Sequence, residues 1–127
     1  MKDYSKYFKL KASPELVFQA FTNPFTMELW TDEPAVVSTN ANEEFSWFDG
    51  AITGVNIRFE ENFLIEQQWF FGEQEHPSVV TMKFHADKKG TSVEVRQTNI
   101  PNEAFQDIVE GWEEVVFGTL RDYYSED

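Results

Sequence analysis

Two glutamines interrupt runs of apolar side chains in this chain, and an amide so placed needs a partner. Gln67 sits between Ile65 and Trp69, and Gln97 follows Val93 and Val95 at the same two-residue step. That step puts each amide on the strand face its apolar neighbours occupy. A buried amide left unpaired costs on the order of 1–3 kcal/mol, so it bonds to protein, to water or to a ligand. In the last case the pair would be polar anchors at the mouth of a cavity. Bonding to neighbouring side chains, a place near the sheet edge, or a bulge that turns them outward are the alternatives.

Other chemistry finds little support. His76 lies in a Gly72–Pro77 loop and His85 alternates with Lys83 on an expected outer face. Neither has a second histidine or a carboxylate at metal-ligand spacing. The chain has no cysteine, which excludes disulfides, thiolate nucleophiles and cysteine zinc sites. Glu43, Glu44, Glu60 and Glu61 fall on both strand faces, whereas a general acid needs a carboxyl raised by an apolar pocket. Serine, histidine and aspartate form no nucleophile elbow, and Gly50, Gly54 and Gly72 belong to turns and not to a phosphate loop. No catalytic residue, metal or cofactor is assigned, and an enzyme is the less favoured reading.

The 127 residues fit one domain, 1–127, and 41% of them are hydrophobic, including 13 phenylalanines. Aromatic rings therefore dominate the core. The formal net charge of -13 repels phosphate backbones and anionic lipid, so neither nucleic acid nor membrane is an expected partner. The acidity either keeps the protein soluble or meets a basic partner. Met1–Ser5 lacks an apolar leader and no run reaches transmembrane length, so a cytoplasmic protein is expected.

The elements that must carry these side chains follow from periodicity. A first strand spans Tyr4–Lys11; Ser13 caps a helix that begins at Pro14 and buries Leu16, Val17, Ala20 and Phe21. Asn23-Pro24 starts a second, shorter helix reaching Leu29 or Trp30. From Glu43 the period is two. Phe45 and Trp47 lead to a turn at Asp49-Gly50, and Val55, Ile57 and Phe59 share the inward face of the returning strand. Strands follow at Phe63–Phe71, around Val80, Met82 and Phe84, and around Val93 and Val95. The last segment returns to a helical step, with Phe105, Ile108, Val109, Trp112, Val116, Leu120 and Tyr123 inward and an acidic outer face. About 22 residues of helix span roughly 33 Å, enough to cross a sheet. The class is α+β: about six curved antiparallel strands wrapped around a long C-terminal helix, with two short helices after strand one.

That order is the helix-grip arrangement of START-like, birch-pollen-allergen-like domains, and Ser13-Pro14-Glu15 with Val17-Phe18, then Trp30, resembles their opening helices. The segment Phe45–Gly54, then Trp69, Asn99-Ile100-Pro101 and Gly111-Trp112 resemble, in order, the activator of the 90-kDa heat-shock protein ATPase. The resemblance implies a curved sheet gripping the last helix, a cavity between them, and a chaperone or other protein as partner. In the eukaryotic co-chaperone this unit is the C-terminal half. Here strand one is expected within a few residues of Met1, so ATPase stimulation is not carried over.

The residues expected to line the grip are Trp30, Phe45, Trp47, Gln67, Trp69, Met82, Phe84, Gln97, Trp112 and Val116. Either they surround a pocket for a small apolar ligand, of about 300–1,000 Å³, or they fill the space themselves. The function expected is non-enzymatic binding of an apolar ligand or a protein; the alternative is a cyclase or hydrolase using the same cavity. A monomer and a homodimer joined through a strand edge are both compatible with the sequence.

Overall fold

The computed structural model describes residues 1–125. β1 (Lys2–Leu10) ends just before Ser13, whose hydroxyl accepts from the Leu16 amide at 3.3 Å and starts α1 (Pro14–Thr22). Pro14 suits this place because its missing N–H would have had no helical partner. Asn23 closes α1 and caps α2 (Pro24–Thr31), its side-chain oxygen accepting from the amides of Phe25 and Thr26 at 2.9 and 3.2 Å.

Five strands follow: β2 (Glu44–Trp47), β3 (Ile52–Glu60), β4 (Leu64–Trp69), β5 (Ser78–Asp87) and β6 (Gly90–Ile100). All neighbours are antiparallel, in the order β1-β6-β5-β4-β3-β2. The meander β2 to β6 is therefore closed by β1 on its far side. The two short helices and the C-terminal helix cover one face of this curved sheet, which is the helix-grip arrangement.

The C-terminal helix is not uniform. A tight turn at Asn102–Ala104 leads into α3 (Phe105–Glu110), then a π-helical stretch (Gly111–Val116), then α4 (Phe117–Tyr123). The Phe117 amide donates to the Trp112 carbonyl, five residues back. In an ordinary α-helix residues five apart point about 140° away from each other. The wider turn brings Trp112 and Phe117 to the same side, both buried, and leaves Tyr123 exposed. This corrects the expected stripe, which omitted Phe117 and included Tyr123.

β3 also departs from expectation. Its register with β4 shifts between Asn56 and Arg58, so Ile57 is an extra, bulged residue. Asn56 opposes Gln67 and is buried, Arg58 opposes Glu66 on the outer face, and Phe59 opposes Ile65. Val55 and Ile57 are thereby outward and only Phe59 of that expected trio packs on the core. The hairpin between β2 and β3 is a four-residue loop, with Phe48 and Asp49 at φ of 55° and 53°. No helix among the described residues is long and apolar enough to cross a membrane.

At Gly54 the backbone leaves no room for a side chain. A Cβ there would lie 1.9 Å from the Gln68 carbonyl oxygen and 2.7 Å from the Phe45 ring. Gly54→Ala must move backbone, so it is expected to destabilise the fold by about 1–3 kcal/mol or more. A urea midpoint equal to that of the natural chain would contradict this account of the close approach.

Candidate functional site

The structure brings the expected grip residues into one core, each at most 4% exposed. Trp69 of β4 and Trp112 of the C-terminal helix stack at 5.0 Å between centroids, and Trp47 of β2 stands edge-on to both at 5.5 and 6.3 Å. Phe45 packs beside Trp47 at 5.7 Å. Trp30 and Phe84 form a second group around Phe21 of α1, at 5.9 and 6.1 Å, and Phe21 joins this group to Trp47 at 5.4 Å. Met82 and Val116 complete the same core.

Both amides face inward, as the alternation requires, and each is bonded to an indole. Trp112 Nε1 donates to Gln97 Oε1 at 2.8 Å; Gln97 Nε2 donates to Ser78 Oγ at 3.1 Å, and that hydroxyl donates to the Thr98 carbonyl at 2.8 Å. In parallel, Trp69 Nε1 donates to Gln67 Oε1 at 3.2 Å, Gln67 Nε2 to Asn56 Oδ1 at 3.4 Å, and Asn56 Nδ2 to the Asn40 carbonyl at 3.2 Å. Two three-step chains thus run from the indole pair to backbone carbonyls. Trp30 Nε1 is satisfied by the Ala20 carbonyl at 2.9 Å. Among the described residues, the buried side-chain polar atom left without a partner is Trp47 Nε1.

Asn56 and Ser78, the second links of these chains, were not singled out from sequence. Asn56 could have been found: a turn centred on Asp49-Gly50 pairs Phe45 with Gly54, and cross-strand partners share a face. Counting on by two from Gly54 reaches Asn56. Ser78 could have been found the same way, because it lies two residues before Val80 on the face shared with Met82 and Phe84.

Four titratable groups are shifted by burial and contacts within the fold. Tyr4 of β1 donates to Glu113 Oε2 at 2.8 Å, and Lys6 pairs with the same oxygen at 3.3 Å. Burial and the Glu113 carboxylate push the Tyr4 phenol well above its ordinary range. The hydrogen bonds from Tyr4 and Lys6 hold Glu113 below the usual carboxylate range. Glu43 is likewise lowered, by Ser38 and Asn40. Burial and then Tyr123 push Tyr124 up to about 12. A carboxyl lowered in this way is an anion at neutral pH and not a proton donor. His85 Nε2 lies 3.0 Å from Glu94 Oε1 on the outer face, and no three histidine, aspartate or glutamate side chains among the described residues are grouped to hold a metal.

The surface grooves are lined by other residues. One of about 420 Å³ lies between α1 and the β3–β4 turn, with Phe18, Thr22 and Phe59 on its walls, and one of about 460 Å³ lies at the far end of β1.

A family described as activator of Hsp90 ATPase homolog 1-like protein matches residues 11–125. The chain belongs to that family. It is 29% identical to the activator of 90 kDa heat shock protein ATPase homolog of Dictyostelium discoideum, over 98% of this chain and 34% of that protein. The chain spans about a third of the length of the curated relatives it matches. The crystal structure of an HSP90 activator from Plasmodium falciparum superposes with a TM-score of 0.77 at 25% identity, covering 93% of this chain and 97% of that one. The solution structure of an Aha1 dimer from Colwellia psychrerythraea gives 0.81 at 17% identity, covering 98% and 96%, which is a likeness of fold. In this family member Trp69, Gly54 and Trp112, which carried the resemblance, lie at or against the indole core, while Asn99, at φ 54°, donates its side-chain amide to the Pro77 carbonyl.

Gln97→Leu orphans the Trp112 N–H and is expected to lower stability by about 1–3 kcal/mol; adding Trp112→Phe should recover part of the hydrogen-bond penalty, read from a double-mutant cycle of unfolding free energies. Tyr4→Phe should raise the Glu113 carboxyl toward its ordinary value, seen by carbon-detected NMR titration. Because the folded pKa is depressed, this carboxylate stabilises the fold above its unfolded pKa. That contribution is lost as pH falls through the folded value, and the variant should show a smaller loss.

Proposed function

We propose that the chain works as one START-like unit that binds a protein partner, chaperone-related as the family implies, through its surface and without chemistry of its own. The observation that carries this reading is the fate of the two amides. Each is bonded on both sides to protein groups inside the grip. A buried small-molecule site needs a few convergent polar groups to orient its guest, and these two are already committed.

The surface offers what a protein partner needs. Phe25 and Leu29, four residues apart on α2, are 79% and 69% exposed. Residues at that spacing lie side by side on a helix. Glu28, Asp32 and Glu33 flank them. An apolar pair with an acidic border suits a partner groove that is apolar with a basic rim. The relatives named as activators of the 90-kDa heat-shock protein ATPase give that partner its class. The Dictyostelium protein is about three times as long as the matched stretch, and only binding is proposed for this chain.

One observation favours a second reading. Trp47 Nε1 is a buried donor with no acceptor, and a small apolar ligand bearing a carbonyl would supply one.

Native mass spectrometry of the purified chain and calorimetry against a 90-kDa heat-shock chaperone separate the two. The protein-partner reading expects a ligand-free mass and measurable chaperone binding. Phe25→Ala with Leu29→Ala should weaken that binding about tenfold or more, with the unfolding midpoint unchanged because both side chains are exposed. A retained small molecule with no chaperone binding would overturn it in favour of the cavity.

A further inference from the structure

The net charge of -13 conceals one end of opposite sign. The chain has 10 lysine and arginine residues, and four lysines meet where the sheet ends. Lys9 and Lys11 lie where β1 runs out, and Lys88 and Lys89 form the turn between β5 and β6. All four are exposed. They rim the groove of about 460 Å³, with Leu10 and Thr91 on its floor. Asp87 is the acidic residue on its wall, paired with Lys9 at 3.7 Å. Among the described residues Lys11, Lys88 and Lys89 have no ion-pair partner.

The backbone of the groove is held by close contacts within the chain. Gly90 sits at φ +150°, and a Cβ there would lie 2.1 Å from the Leu10 carbonyl oxygen. The Thr91 hydroxyl donates to the Ala12 carbonyl at 2.6 Å, tying the turn to the chain beyond β1. A backbone held this way needs no rearrangement to receive a segment. Two residues back along each strand, Tyr7 and His85 stand on the outer face with ring centroids 6.4 Å apart, and Phe63 adjoins His85 at 5.7 Å. Tyr7 is 59% exposed. The lysine end thus continues into an exposed aromatic row.

We propose that this end docks an acidic protein segment, its carboxylates on the four lysines and its apolar side chains over the exposed rings of Tyr7 and Phe63. This goes beyond the α2 surface, which selects the opposite charge. At the other end of β1 the lining includes Glu73, Glu75 and Glu103, which repel an anionic segment there; the net charge of -13 opposes its approach from afar, so the lysines must hold it at close range. A long polyanion would run off the groove onto acidic surface, whereas a short acidic segment would not.

The probe is a fluorescein-labelled octapeptide of glutamates and aspartates with two leucines, followed by anisotropy and by amide NMR on the full chain. The expected result is binding that weakens with added salt, with shifts at Lys9, Lys11, Gly90 and Thr91. Lys9→Gln, Lys11→Gln, Lys88→Gln and Lys89→Gln together should weaken it about tenfold or more, while Lys2→Gln at the far end leaves it unchanged. Circular dichroism should be the same for all variants. The proposal fails if the peptide does not bind, or if the fourfold variant binds it equally well. Equal affinity for inorganic polyphosphate or duplex DNA also overturns it. So does a dimer of the natural chain that the fourfold variant dissolves, since the occupant is then a second copy. Chaperone binding that survives in the fourfold variant bears on the α2 surface and leaves this outcome separate.

Discussion

The fold depends on one buried hydrogen bond between the helix and the sheet, Trp112 Nε1 to Gln97 Oε1 at 2.8 Å. An indole is large enough to fill much of a small core but carries a donor that cannot be left dry. Its acceptor must come from the sheet, and an amide on β6 provides one while passing the demand on to Ser78 and the Thr98 carbonyl. The same bargain is struck at Trp69, through Gln67 and Asn56. The Trp112 chain fixes both the depth of the C-terminal helix and its rotation about its axis, which apolar contact alone does not specify, while the Trp69 chain ties β4 to β3 and to the chain before β2.

Rotation is where the π-helical stretch enters. Phe117 stacks on Phe8 of β1 at 4.1 Å with rings 4° from parallel, and it lies 5.9 Å from Trp112. An α-helix set by the Trp112 bond would swing Phe117 away from β1. Widening Gly111–Val116 by one residue per turn lets Trp112 meet β6 and Phe117 meet β1 together. The next residue after Trp112, Glu113, then faces Tyr4 and Lys6 and closes the edge of the grip. One irregular turn reconciles three contacts.

Much of this was legible in the sequence, and the failures have physical causes. Strand and helix periods gave the element order, and the capping residues Ser13 and Asn23 gave the helix starts, because both depend on neighbours in the chain. The inward amides were legible for the same reason, but their partners were not. Apart from Trp69, two residues from Gln67 on the same strand, those lie across the sheet or on another element, at separations of 11, 15 and 19 residues. The bulge at Ile57 was hidden because an isoleucine among alternating residues looks inward by composition. The hairpin pairing nevertheless held the answer for Asn56. Phe117 was missed because a step of five belongs to neither regular period, and only the competing demands of β1 and β6 call for it.

The four tryptophans divide the interior in a way that bears on function. Three have acceptors within the chain, so their positions are fixed before any guest arrives. Trp47 sits between them, edge-on to two, with its N–H unpaired. Phe45, Phe21 and the Trp69 indole, each buried, lie in ring contact with it. Opening space beside it for even a small guest therefore means giving up close aromatic contacts, at a penalty that grows with the volume opened. The surface carries no such penalty: the apolar pair on α2 and the lysines at the end of β1 are exposed as they stand. Their opposite electrostatic settings select partners of opposite charge, so in this reading the interior supplies rigidity and the two ends of the surface supply choice.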